Sequence, residues 1–322
     1  MKAAVYERTG PAGEVLRVED VDTPEPGPGE VRVRISASGV NPTDWKARSG
    51  LTPVAIDGFQ VPNQDGAGVI DAVGDGVDAA RVGQRVWLVF AAFQNRWGTA
   101  AEYSVLKAER AVALPAGASF ELGASLGIPA VTAAYCLGDR GRLSGATVLV
   151  AGGAGAVGHY AIELAKHAGA RVVTTVSSAE KAELARTAGA DLVVNYRDRD
   201  VVDQVKAYAP TVDRVVEVDL GANLDLDLAL SAPNTVITTY AATPQDPALP
   251  VRRLMTANVT LRFVLLYLVP PAELAAAVGR VADAVRDGAL SELPVTRFGL
   301  DQVADAHDAV EGGAVGKVLV VP

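Results

Sequence analysis

The sequence carries a single cysteine, Cys136, and only three histidines, His159, His167 and His307, in 322 residues. One thiol cannot close an intrachain disulfide, which points to a reducing compartment. A metal centre needs a cluster of Cys, His and carboxylate ligands. The four Cys and His residues are scattered between positions 136 and 307, so no metal is expected. Basic clusters are missing as well. Twenty-nine Lys and Arg against 38 Asp and Glu leave a net charge of −9 and a pI near 4.9, with no Lys/Arg stripe for a polyanion; a nucleic-acid partner is not expected. No nucleophile elbow of the G-x-S-x-G kind is expected. The chain opens with Lys2 and reaches Glu7 and Arg8 without an apolar core between, and reads as having no secretory leader. The longest uncharged run, Leu143 to Ile162, has a Gly/Ala-rich centre. It reads as a buried strand, a glycine loop and a helix start rather than a membrane span. The cytoplasm is the expected location.

What is present divides in two, as the length suggests. The first ~120 residues read as short strands and turns. Met1–Tyr6 and Glu30–Ser38 alternate apolar and polar residues, the proline-rich Pro24–Gly29 excludes a central strand between them, and Val69–Val73 and Gln84–Val89 are further strands. From Phe120 to Leu266 apolar strands alternate with amphipathic helices. The strand candidates are Thr147–Ala151, Arg171–Val176, Leu192–Val194, Arg214–Val218, Thr235–Thr239 and Thr260–Leu265, with helices at Gly158–Ala168 and Ala179–Ala188 among others. Such alternation predicts an α/β fold, a parallel sheet covered on both faces. A long helix, Pro271–Asp287, then leads to a short β-rich tail ending Lys317–Pro322.

The second region contains Gly153-Ala-Gly-Ala-Val-Gly158, a G-x-G-x-x-G, with Thr147–Ala151 as the strand before it and Tyr160–Lys166 as the helix after it. Glycine serves a tight turn, close approach of backbone N–H groups to a pyrophosphate, and helix–strand packing. The helix N-terminus adds uncompensated donors and partial positive charge. The plainer alternative is a βα turn that happens to be glycine-rich. With the strand–loop–helix frame present, the residues predict a Rossmann dinucleotide site lined by Gly153, Ala154, Gly155, Ala156, Val157 and Gly158.

An NAD site places Asp or Glu about 20 residues past such a loop, on the ribose 2′-OH. Here the second strand ends at Val176 and is followed by Ser177-Ser-Ala-Glu-Lys181. Two hydroxyls and a lysine suit a 2′-phosphate, which a carboxylate would repel. Ser177 and Ser178 can also cap the next helix, and Lys181 can be a solvated helix residue. With the carboxylate missing, the set favours NADPH.

Taken together, Gly39-Val-Asn-Pro-Thr-Asp44 with Arg48-Ser-Gly50, Asp65-Gly-Ala-Gly68, Ala100–Tyr103, Gly127–Tyr135, the glycine loop, Val194–Tyr196 and Gly316-Lys-Val318 resemble the zinc-free branch of the medium-chain dehydrogenase/reductase superfamily, the ζ-crystallin-like NADPH:quinone oxidoreductases. The resemblance covers essentially the whole chain. It implies a β-rich GroES-like catalytic domain at 1–123 and 267–322 and a Rossmann NADP-binding domain at 124–266. Zinc-dependent relatives carry a cysteine ligand where this chain has Asn41 and a histidine ligand where it has Gln64. The resemblance further implies that Asn41 and Asp44 lie beside the nicotinamide and its ribose and Thr132 under the ring, and that Ser177, Lys181 and Tyr196 contact the adenosine phosphate. Trp45 and Lys46 stand where family members often have a tyrosine, and the loop Leu51–Pro62 departs from the usual pattern, so the acceptor stays open. A homodimer through the apolar edge strand Val259–Leu266 is also implied.

The expected chemistry is metal-free hydride transfer to a quinone or similar conjugated acceptor, with Asn41 as a candidate donor to the developing oxyanion and Asp44 holding ribose or orienting its loop. For both, the alternative is turn stabilisation beside Pro42. Two other functions remain open: reduction of the C=C bond of alkenals or enoyl thioesters, and a non-catalytic role for bound NADPH.

Overall fold

The computed structural model describes residues 1–138, 143–242 and 246–322. They form two compact units: Met1–Ile128 together with Glu292–Pro322, and Pro129–Ser291. The helix Pro271–Arg286 thus falls in the second unit and not, as expected, with the tail. Its buried stripe of Ala277, Val281, Ala284 and Val285 recurs at helical spacing, and Arg280 Nη2 donates to Ala134 O at 3.1 Å, on the neighbouring helix Pro129–Leu137.

In the first unit a seven-stranded sheet runs in the order Val295–Gly299, Lys317–Val321, Glu30–Val40, Asp65–Val73, Arg85–Leu88, Ala111–Ala113, with Tyr103–Lys107 also paired to Glu30–Val40. Alternation drives it. Val31, Val33 and Ile35 are buried against Ile70, Val86, Leu88 and Leu106, and each such side chain contributes ~1.5–3 kcal/mol by leaving water. Val40, Val318 and Val320 instead join a core with Ala3, Val5, Val303 and Ala306. The tail is not simply β-rich. It contains a helix, Val303–Glu311, because Val303, Ala306 and His307 at i, i+3 and i+4 supply a buried face. Antiparallel register sets Gly39 opposite Asp65 and Leu319 opposite Gly39. The ends of three strands therefore converge beside the short helix Pro42–Ser49.

The second unit is a six-stranded all-parallel sheet, ordered Leu192–Asn195, Arg171–Val176, Thr147–Val150, Val212–Glu217, Ser231–Thr239, Thr260–Phe263. The strand order reverses beside Thr147–Val150, the first of these strands in the chain, which makes it a doubly wound Rossmann sheet. Its edge strand ends at Phe263, short of the expected Leu265–Leu266. The next amide, Val264 N, still reaches Thr239 O at 2.9 Å, but Leu266–Leu268 coils into a 3₁₀ turn. Among the described residues no helix is long and apolar enough to cross a membrane.

Candidate functional site

Backbone builds the first half of the candidate machinery. The strand Thr147–Val150 feeds the glycine loop, and Gly155 caps the twelve-residue helix Ala156–His167 without any side-chain hydrogen bond. The first intrahelical bond runs from His159 N to Gly155 O at 2.8 Å, so the amides of Ala156, Val157 and Gly158 lack intrahelical acceptors. The three glycines differ. A Cβ on Gly153 would lie 2.1 Å from Thr174 Oγ1, and one on Gly158 would lie 2.3 Å from Gly152 O; both are required by packing. Gly155 is exposed, and a Cβ there would have its nearest neighbour 3.4 Å away, so its bareness is not demanded by any described residue. Ala154 is buried, and Ala156 and Val157 are half-buried.

The residues expected to hold the 2′-phosphate follow adjacent strands. Asn195 is paired with Val176, and Tyr196 N donates to Val176 O at 3.1 Å, which brings Tyr196 beside Ser177. Ser178 takes the capping role foreseen as its alternative: its Oγ accepts from Lys181 N at 3.3 Å. Ser177 and Lys181 are half-buried and Tyr196 is exposed. Arg197, not among the expected contacts, lies with its guanidinium 5.8 Å from the Tyr196 ring centre and adds a cation there. A basic residue in the charged run after Tyr196 was the available signal. Thr132 is buried on the helix Pro129–Leu137 of the same unit.

Side chains build the other half, in the first unit. Asn41 and Asp44 come together with Asp65 and Lys317, all four buried. Asn41 Nδ2 donates to Asp65 Oδ2 at 2.7 Å, and Lys317 Nζ donates to Asn41 Oδ1 at 2.6 Å and lies 3.3 Å from Asp65 Oδ2. Asp65 Oδ1 accepts from Ile128 N at 2.7 Å. Asp44 ties two segments together, its Oδ2 accepting from Asn41 N at 2.7 Å and its Oδ1 from Gln64 N at 3.1 Å. Its bond to Asn41 N closes the capping box of the helix Pro42–Ser49, the turn stabilisation given as the alternative, and its bond to Gln64 N ties that turn to the neighbouring segment. Burial and the neighbouring Asp65 push the Asp44 carboxyl up to about 8, against the pull of two amides and Lys317. Burial also raises Asp65, opposed chiefly by Lys317. Gln64 Oε1 is buried and has no hydrogen-bond partner among the described residues.

A second polar chain supports this cluster. His307 Nε2 bonds Asn63 Oδ1 at 3.0 Å, Asn63 Nδ2 donates to Ser38 Oγ at 2.9 Å, Ser38 Oγ meets Thr99 Oγ1 at 2.7 Å, and Thr99 donates to Asp65 O. Since Asn63 Nδ2 is spent as a donor, Asn63 Oδ1 accepts, and His307 carries its proton on Nε2. Full burial, helped by the Arg48 guanidinium, drives the His307 imidazole down to about 3. The sequence implies no role for Asp65 or Lys317, although both lie in segments that carry the family resemblance.

The letters G-x-S-x-G do occur, at Gly123-Ala-Ser-Leu-Gly127, contrary to expectation. They do not form an elbow: Ser125 follows the one-turn helix Phe120–Gly123, not a strand, and donates to Glu121 O at 2.7 Å. Among the described residues no three His, Cys, Asp or Glu side chains are grouped to hold a metal.

The two halves match known families. Residues 27–116 match the alcohol dehydrogenase GroES-like domain, and residues 156–283 match the domain described as zinc-binding dehydrogenase. Quinone oxidoreductase of Rattus norvegicus is 30% identical over 323 residues, covering 98% of this chain and 96% of its own length. Among solved structures, a mycobacterial quinone oxidoreductase is 32% identical with a TM-score of 0.86, and Escherichia coli quinone oxidoreductase complexed with NADPH is 25% identical with a TM-score of 0.84. Each covers 100% of both chains.

Proposed function

Given that the chain belongs to the quinone oxidoreductase family of the medium-chain dehydrogenases/reductases, we propose that it is a zinc-independent, NADPH-dependent reductase of quinones or comparable conjugated carbonyl compounds. The observation that carries the cofactor is Gly155, bare and exposed at a helix N-terminus without a side-chain cap, where no described residue forbids a side chain. A diphosphate needs that approach and those amides. Gly153 through Gly158 would hold the diphosphate. Ser177, Ser178, Lys181 and Tyr196 would hold the 2′-phosphate and its ribose, with Arg197 beside them. Thr132 would lie under the nicotinamide. NADPH, when bound, supplies the hydride.

The remaining work belongs to the chain. Asn41 commits one Nδ2 hydrogen to Asp65 and has a second available for an acceptor oxygen that gains negative charge. Gln64 Oε1, without a partner among the described residues, can accept from a hydroxyl. Asp44 holds the two segments that carry them. The test is NADPH consumption with 1,4-benzoquinone, a 2-alkenal and crotonyl-CoA, with NADH as control. Turnover of benzoquinone with NADPH well above NADH is expected. Turnover of enones alone would move the assignment to double-bond reduction, and tight NADPH binding without any turnover would leave a non-catalytic role.

The assembly we favour is a homodimer through the edge strand Thr260–Phe263. Support comes from Phe263, Leu265 and Leu268, which are 69%, 59% and 76% exposed in a segment next to an open sheet edge. Sedimentation should give twice the chain mass, and Phe263→Glu with Leu268→Glu should give the monomer; a monomeric wild type rejects the dimer.

A further inference from the structure

Lysine is rarely buried in full unless it is paired, and Lys317 is 2% exposed. The fold has made room for it. A Cβ on Gly39 would lie 2.0 Å from Ala124 O, 2.9 Å from Lys317 Cε and 3.1 Å from its Nζ, so the bare Gly39 lets both the Ala124 carbonyl and the lysine stem close in beside Asn41. The ammonium then meets two acceptors, Asn41 Oδ1 and Asp65 Oδ2.

A carboxamide is nearly symmetric in shape, and its partners decide which end is which. Lys317 can only donate, so it fixes Oδ1 on its own side; Asp65, as a carboxylate, can only accept, so it fixes Nδ2 on the other. The two constraints are linked through the lysine. Without the ammonium, Asp65 is a buried carboxyl among uncharged donors, and the neutral acid becomes the favoured form. A protonated Asp65 can donate to Oδ1, and the carboxamide loses its single orientation.

We infer that Lys317 is a positioning residue for the proposed reduction: its ammonium holds the Asn41 carboxamide with Nδ2 turned toward Asp65 and the acceptor, and balances the Asp65 charge. This rests on the function proposed above for the role of Asn41, though not for the orientation itself. Loss of one oxyanion donor costs about 10²–10³ in kcat; disordering it rather than deleting it should cost about 10- to 100-fold on the same scale.

The experiment compares wild type, Lys317→Met and Lys317→Arg, each labelled with ¹⁵N in asparagine, the Asn41 carboxamide signal being the one missing from Asn41→Asp. In Lys317→Met its two protons should exchange with water at least tenfold faster (~10 or more) than in wild type. Kcat at saturating acceptor should fall about 10- to 100-fold, while the Kd for NADPH stays within about twofold, because no phosphate-loop residue is touched. Lys317→Arg, which keeps the charge, should recover part of both losses. An unchanged Asn41 signal in folded Lys317→Met overturns the inference, as does a fall in NADPH affinity parallel to that in kcat. If Lys317→Met does not fold, wild type and Lys317→Arg labelled instead with ¹⁵N in lysine decide: a slowly exchanging ¹⁵Nζ signal at neutral pH, absent from Lys317→Arg, supports the pairing, and its absence from wild type overturns it. Failure of wild type to reduce any acceptor would sink the proposed function alone, since the carboxamide signal judges Lys317 without turnover.

Discussion

The two units solve the same task, placing polar groups where a ligand can use them, with opposite materials. The Rossmann unit does so with main chain: a strand, a glycine turn and the free amides of one helix end, all within Thr147–His167. The β-rich unit does so with side chains drawn from positions 41, 44, 65 and 317, each buried and each dependent on the next. A backbone site tolerates change at neighbouring side chains and fails only where the main chain is covered or displaced. A side-chain network fails when any one member is lost, because the partners left behind are buried and unpaired.

Covering the main chain should have the largest effect. Gly155 has extended φ and ψ of −77° and 160° that any residue adopts, so Gly155→Val should leave the melting temperature within about 2 °C. It should nevertheless weaken NADPH by about 100-fold or more through lost diphosphate contacts. Gly153→Ala, pressed against Thr174, should instead destabilise by about 1–3 kcal/mol. Titration calorimetry beside thermal melts separates the two, and equal loss of stability in both variants would erase the distinction between a packing and a ligand-facing glycine.

The network is tested by pH. His307 titrates lower folded than unfolded, so its contribution is fully present above the unfolded value near 6.5 and is lost as pH falls toward about 3. Asp44 titrates higher folded than unfolded, so its contribution is present below about 4 and is lost as pH rises toward about 8. All three tryptophans, Trp45, Trp87 and Trp97, belong to the β-rich unit; urea unfolding followed by their fluorescence therefore reads this unit. His307→Leu should flatten the acid limb by on the order of a few kcal/mol, and Asp44→Asn the alkaline limb. Parallel pH curves for wild type and His307→Leu would show that the imidazole is not the group being titrated.

The smallest expected change returns to the Rossmann unit, where side chains only supplement the main chain. Lys181→Ala should weaken NADPH about tenfold, the scale of one charge-assisted contact, and leave NADH unchanged. Equal weakening of both cofactors would remove Lys181 from the phosphate pocket.

The same contrast explains what could be read from residues alone. The strand–turn–helix frame of the glycine loop is contiguous, and alternation of strands and helices announces a parallel sheet. The residues proposed for the 2′-phosphate stand out in the sequence because Ser177 to Lys181 follow directly on a strand end. In the β-rich unit, Asn41 and Asp44 stood out only beside Pro42 and through family likeness. Lys317 reads as an ordinary terminal-strand lysine until the register with Val40 and Gly39 brings the strand ends together. The tail helix Val303–Glu311 was missed because its buried face is short and includes a histidine. The edge strand was read too long because the apolar run continues beyond Phe263 into residues that turn away from the sheet and leave Leu265 and Leu268 in water.

The strand Lys317–Val321 lies inside its sheet, between Val295–Gly299 and Glu30–Val40, yet it is translated after the whole Rossmann unit. At about 5–20 residues per second, a ribosome takes on the order of ten to forty seconds to travel from Ile128 to Lys317. Throughout that interval Ser38–Val40, the end of the strand Glu30–Val40, lacks its partner and presents a short open ladder to other nascent chains. The unit encoded first is thus the one completed last. Shortening the carboxyl terminus should therefore injure the amino-terminal half of the protein and spare the middle.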